Sequence, residues 1–210
     1  MDSIAKEILK FWFGTINLSD DIPKNDLWFK STPEFDNDLI QRFENVHERA
    51  AAGGLDHLRE TPEECLALVI SLDQFPRNIY RGTKKAFHTD HAACEISHFA
   101  LARAYDEPLS SQPRKFLYLP LQHSESLTDQ EMSVEKYQSL DDEKSMHAAI
   151  GHRDAIRQFG RFPHRNKVLG RENTPEEEEY LKIPPTWGMT KAEAEQQERM
   201  VAEMERQKSD

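Results

Sequence analysis

Three times in this chain a threonine, a proline and a glutamate follow one another: Thr32-Pro33-Glu34, Thr61-Pro62-Glu63-Glu64 and Thr174-Pro175-Glu176-Glu177. Each triplet is a helix start. Threonine caps orphan backbone N–H groups, proline suits the first turn because its missing N–H is not needed there, and glutamate complements the positive end of the helix dipole. The second and third triplets also have the spacing of a capping box, through Glu64 and Glu177. A chain punctuated this way, with little valine and no alternating run bounded by hairpin turns, is committed to helices.

Apolar periodicity fills in the rest. Ile4, Ile8, Leu9 and Trp12 predict a helix from Asp2 to Phe13, stopped by Gly14. Phe35, Leu39, Phe43, Val46 and Ala50 share one face of a helix that ends at Gly53-Gly54. The helix after Thr61 is apolar nearly all round, from Cys65 to Ile70 and again at Leu72, which marks it as the central, surrounded one. Further helices are expected over 91–105, 129–140 and 142–159, the last stopping at Gly160. The segment 114–119 reads as a helix interrupted by Pro120.

The 210 residues suit a single domain with a sizeable core. Hydrophobic residues make up 37% and charged residues 31%, polar for a globular protein but above the disorder regime. From Glu172 to Asp210 there are 11 acidic and 5 basic residues, so this stretch carries −6 of the net −11. The expected division is a helical domain over 1–187 and a charged helix or tail over 188–210, where Met200, Val201 and Met204 form the apolar cluster. The net charge argues against nucleic acid and anionic membranes as partners. Cys65 and Cys94 lie in apolar helical stretches and read as buried small hydrophobes, not as a disulfide framework. Without a signal-type leader or a transmembrane-length apolar run, a cytoplasmic location is the expectation.

Chemistry concentrates in two similar segments, Asp73-Gln74-Phe75-Pro76-Arg77-Asn78 and Arg161-Phe162-Pro163-His164-Arg165-Asn166. In both, Phe-Pro precedes Arg-Asn after an apolar helix. Proline turns the chain, phenylalanine anchors it, and Arg and Asn are presented from fixed backbone. A guanidinium fork suits carboxylate or phosphate, and an amide donates and accepts at once. Between His152 and Arg171, 6 basic residues face 1 acidic one, a local +5 in an acidic protein. The competing explanation is structural: cations near helix C-termini satisfy free carbonyls, and Arg can staple to Asp73 or Asp154.

Leu119-Pro120-Leu121-Gln122-His123-Ser124-Glu125 lies between them, a kinked polar cluster set against leucines. Histidine is poised for proton transfer near neutral pH, and a carboxylate can orient it. Its competitor is a plain helix cap on Ser124 or Ser126. His152 shares the stripe of Ile156 and Phe159 and should face inward. Glu44-x-x-His47 and Glu95-x-x-His98 have the spacing of di-metal helical bundles. Glu95 and His98 fall away from the Ile96/Phe99 stripe, however, so neither a metal nor another cofactor is expected.

These ordered segments, from Ile8-Leu9-Lys10-Phe11-Trp12-Phe13-Gly14 to Thr174-Pro175-Glu176-Glu177, resemble domain of unknown function family 924, found in bacteria and fungi. The resemblance covers most of the chain up to Trp187. It implies an all-α fold of antiparallel helix pairs, a right-handed array like that of tetratricopeptide repeats, and it brings no reaction with it. Leu58 departs from the family pattern, which has a tryptophan there, and bears on local packing or a pocket wall.

Two functions are therefore expected. In the first, an enzyme or binding protein holds an anionic polar small molecule on Arg77, Arg161 and Arg165, oriented by Asn78 and Asn166. Proton transfer would fall to His123, His164 and His152, with Asp73 and Glu125 as carboxylate partners. In the second, a non-catalytic helical-repeat module binds a peptide or protein along an open groove, its arginines tied up internally. A third possibility is that the acidic 191–208 helix docks on a basic partner.

Overall fold

The protein, as a computed structural model, is described over residues 1–187 and 189–209; the side chains of 204, 205 and 207–209 lie outside that description, Met204 with them. Every regular element among the described residues is helical. The expected helix starts are all present. Helix α1 (Ser3–Phe13) is capped by Asp2 and ends on Gly14, whose φ of 74° closes the last turn in the left-handed region. Thr32 caps α2 (Pro33–Ala51) and Thr61 caps α3 (Pro62–Asp73). Thr174 caps α10 (Pro175–Tyr180) in a complete capping box with Glu177.

At α3 the expected box does not close. The Glu64 side chain accepts the Thr61 hydroxyl at 3.0 Å and turns its other oxygen to the Asp2 backbone N–H at 2.5 Å. That choice ties the N-terminus of α1 to the N-terminus of α3, a tertiary bond that local spacing does not reveal.

Helix α3 is the central one. Every residue from Glu64 to Asp73 is buried, and α3 packs on α1, α2, α5 (Asp90–Leu101) and α6 (Ser111–His123). An aromatic cluster of Trp12, Phe13, Trp28, Phe43, Phe75 and Phe116 fills the space on one side of it, with ring centroids 5.0–5.9 Å apart. Leu58, the family departure, is fully buried in the short turn Asp56–Arg59 that packs on α3. It is a core residue and does not line the cleft described below.

Helices α6, α7 (Leu127–Gln138) and α8 (Glu143–Phe159) follow as hairpins, each packed on the next. Pro120 does not interrupt α6, contrary to expectation. The helix runs on to His123, and the residues from Lys115 to Gln122 are all buried. A proline inside a helix costs about 3 kcal/mol through the lost bond and ring clash; here the burial of Phe116 to Leu119 and of Leu121 on either side of Pro120 offsets it. The continued helix carries His123 to the buried side chain of Asp73.

The two Phe-Pro segments also differ from simple turns. Pro76 sits in the first turn of a short helix, α4 (Phe75–Ile79). Beyond α8, stopped by Gly160 at φ 69°, Pro163–Arg165 forms a single 3₁₀ turn leading into α9 (Asn166–Leu169). In both places proline begins a helix as well as ending one. The last helix, α11 (Lys191–Ser209), lies on the body: Ala194 is buried, and the Lys191 N–H reaches the Ser31 carbonyl at 3.5 Å. No described helix is long and apolar enough to cross a membrane.

Candidate functional site

Three helix ends, a short helix and a 3₁₀ turn bring their side chains together here. Asp73 is the last residue of α3, and Arg77 follows one turn later in α4. Asp90 opens α5, and His123 closes α6. Arg165 arrives from the turn after α8. The side chains form a chain of charges. His123 Nδ1 lies 2.8 and 3.0 Å from the two oxygens of Asp73. The Arg77 guanidinium donates to Asp73 at 3.1 Å and to Asp90 at 3.0 Å, and Arg165 donates to the other Asp90 oxygen at 2.9 Å. Arg165 also donates to the His123 carbonyl at 3.2 Å, and its guanidinium is sandwiched between Phe87 and Phe162, 4.6 and 4.5 Å from the ring centres.

The protonation states follow from these contacts. Burial by itself would raise the Asp73 carboxyl, but His123, Arg77 and the Gln74 amide hold it far below the ordinary carboxylate range. Asp73 is therefore ionised and only accepts, so His123 Nδ1 must carry the proton and donate it. Burial, and Arg77 beside it, lower the His123 imidazole below its usual value despite Asp73. At neutral pH the ring is uncharged, with Nδ1 committed to Asp73 and Nε2 holding a free lone pair. Burial lowers Arg165 to about 10, with Arg77 repelling it and Asp90 opposing the shift. The Nε–H groups of Arg77 and Arg165 are buried and make no hydrogen bond among the described residues.

Open space borders the cluster. A cleft of about 920 Å³ opens against this cluster, with His123, Asp90 and Arg165 in its wall beside Phe87. Lys84 and Lys85 line it too, and so do the acids Glu48, Glu125 and Asp129. Its far side holds His47 and His88 with Tyr80. His47 is 1% exposed; its Nδ1 donates to the Ser71 carbonyl at 2.8 Å, and its buried Nε2 has no partner among the described residues. Cys94 also reaches the wall; with no metal bound, burial and the neighbouring Asp129 push its thiol up to about 12, so it stays protonated and is no nucleophile.

The other residues singled out in the sequence are spent elsewhere. Asn78 donates to Asp36 at 2.7 Å, fastening α4 to α2. Arg161 grips Glu177 with two bonds of 2.6 and 2.7 Å, and Asn166 donates to Asn173 and Glu177. Those pairs lock the 160s segment onto α10. Glu125 lines the cleft but is held by Arg171 at 2.8 and 3.0 Å and by the Phe162 N–H at 2.8 Å. His152 and His164 lie behind the cleft wall, with Trp187 stacked on His152 at 3.6 Å between ring centres. Burial holds His152 well below the ordinary histidine value.

Of the residues expected to converge, Asp73, Arg77, His123 and Arg165 do so. Asp90, which joins the two arginines, carried no motif. Its only signal is the Thr89-Asp90 pair at a helix start, which gives no hint of a partner 75 residues away.

Comparisons with known proteins agree with this architecture. The family described as bacterial protein of unknown function (DUF924) matches residues 8–185. A solved structure of a protein of unknown function, ATU0120 from Agrobacterium tumefaciens, is 40% identical, covers 85% of this chain and 97% of its own, and superposes with a TM-score of 0.78. No curated protein matches the chain. With nearly the whole helical body inside the match, the chain belongs to the DUF924 family.

Proposed function

We propose that the protein is a small-molecule enzyme in which His123 acts as a general base on a polar, anionic substrate held in the cleft. The observation that carries this reading is the Asp73–His123 pair: a fully buried carboxylate fixes Nδ1, and the same imidazole lines the cleft. An uncharged imidazole with one nitrogen locked by a carboxylate is the arrangement that makes histidine an effective base. Arg165 anchors the anion, because each terminal nitrogen keeps a second N–H after its internal bond and the stacking rings prevent the fork from turning away. Lys84 and Lys85 add positive charge along the cleft.

A second reading, a peptide-binding helical module, draws support from the internal pairing of Arg77 with Asp73 and Asp90, and of Arg161 with Glu177. Against it, the large exposed apolar residues Met1, Ile16, Phe29, Leu127, Ile183 and Met200 are absent from the cleft lining. A peptide groove would gather such residues.

Thermal-shift screening with carboxylate and phosphate metabolites separates the two. A ligand at a hundred times its Kd stabilises the folded state by about 2.7 kcal/mol. The enzyme reading expects a hit whose shift disappears in Arg165→Gln, with His123→Gln still binding but no longer turning the ligand over. Hits indifferent to Arg165, or turnover that survives in His123→Gln, would remove it.

A further inference from the structure

A second cluster in the cleft wall takes no part in the Asp73–His123 chemistry. Cys94 and His98 stand one turn apart on α5, so their side chains share a face. Asp129, in the first turn of α7, is aimed at both: its carboxylate lies 3.5 Å from Cys94 Sγ and 2.9 Å from His98 Nε2. One thiol sulfur, one imidazole nitrogen and one carboxylate oxygen all fall within 4.8 Å of one another. Ser124, the residue after His123, donates to the same carboxylate at 2.6 Å. Glu95, which the helical spacing pairs with His98, is largely exposed and lies 3.9 Å from His91 instead.

We infer that Cys94 Sγ, His98 Nε2 and Asp129 form a three-ligand site for a divalent ion of the zinc type, with the fourth position open to the cleft. Bond lengths of about 2.0–2.3 Å in a tetrahedron place neighbouring ligand atoms about 3.3–3.7 Å apart. The observed separations need only small side-chain rotations to reach that. Thiolate and imidazole donors select zinc-like ions and disfavour magnesium or calcium, which take oxygen cages. Cys94 and Asp129 line the cleft with Ser124, and three protein ligands with one vacant direction make an exchangeable rather than a closed structural site. Ser124 holds the carboxylate as an outer-sphere partner does. The inference departs from the expectation of no metal, because the sequence brought His98 together with Glu95 and not with a residue from another helix. It does not rest on the base chemistry of His123.

Metal binding by the full chain tests it directly. Metal-free protein given Co²⁺ should retain one ion per chain, showing a thiolate-to-metal charge-transfer band and the intense d–d bands of tetrahedral cobalt, and Zn²⁺ should displace it. Cys94→Ala should abolish the charge-transfer band. His98→Ala, which removes a side chain 42% exposed and so spares the core, should weaken Zn²⁺ binding by more than the ~10–100-fold that loss of an outer-sphere partner costs. His91→Ala and Glu95→Gln should leave binding unchanged. Failure to retain Co²⁺, a charge-transfer band that survives Cys94→Ala, or Zn²⁺ affinity indifferent to His98→Ala would overturn the site. Should Cys94→Ala prove unfolded, His98→Ala decides alone.

Discussion

His123 and Asp73 show how one residue's chemistry is set by its neighbours. An imidazole lowered by burial and by Arg77 stays neutral through physiological pH, so the acid limb of kcat/KM should fall below the ordinary histidine value of about 6.5. Replacement by glutamine should cost about 10²–10⁴ in kcat, the usual contribution of a positioned base. Asp73→Asn should act twice. It leaves Arg77 with Asp90 as its remaining acid, and it replaces the ionised acceptor of His123 with a neutral amide that can also turn its N–H₂ toward the ring. Loss of one partner from a buried ion pair costs about 3–5 kcal/mol, readable as a lowered urea midpoint. His152 supplies a pH signature. Its folded pKa lies well below the unfolded one, so below about pH 6.5 the unfolded chain binds a proton that the folded chain refuses. Stability should therefore fall on acidification from that point, with His152 contributing a slope of up to about 1.4 kcal/mol per pH unit. Urea titrations at stepped pH should show a shallower slope in His152→Gln; an unchanged slope would place the titration elsewhere.

At the scale of elements, the cluster exists because three helix ends lie where they do. The α3 and α6 helices deliver Asp73 and His123 from their C-termini, and α5 presents Asp90 at its start. These ends were partly legible. The Thr-Pro-Glu starts and the Gly14 and Gly160 stops are local chemistry, so they can be read from a few adjacent residues. The α6 end was not. Pro120 breaks helices in isolation, and only the burial of Phe116 to Gln122 explains why this one continues. The caps themselves are testable. Thr174→Ala removes the α10 capping box and should lower stability by about 1 kcal/mol. Because α10 carries Glu177, which holds Arg161 and Asn166, the same variant should loosen the 160s segment, visible as faster amide exchange at 161–166. Protection unchanged there would mean that Glu177 keeps its place without the box.

On the scale of the whole molecule, the two Arg/Asn segments turn out to be similar in sequence and different in use. Each was expected to send its arginine and asparagine to a common ligand. One arginine from each reaches the cluster, Arg77 and Arg165, while Asn78, Arg161 and Asn166 became fasteners between helices. Nothing near these residues in the chain distinguishes the two fates, since the partners, Asp36 and Glu177, are 42 and 11 positions away from Asn78 and Asn166. Just before the charged segment expected over 188–210, Trp187 stacks on His152, and within that segment Ala194 is buried against the body. Truncation after Trp187 should then lower the melting temperature without changing the pH profile set by His123; a shifted profile would show that α11 shapes the cleft.

Helix positions, the central place of α3 and the all-α class follow from periodicity and caps, which act over one or two turns and so are written in neighbouring residues. Which arginine meets which acid, and which histidine is left a free lone pair, is a matter of where distant helix ends land. The energy that decides it is the desolvation of charges in a shared interior, a quantity that no local stretch of chain contains.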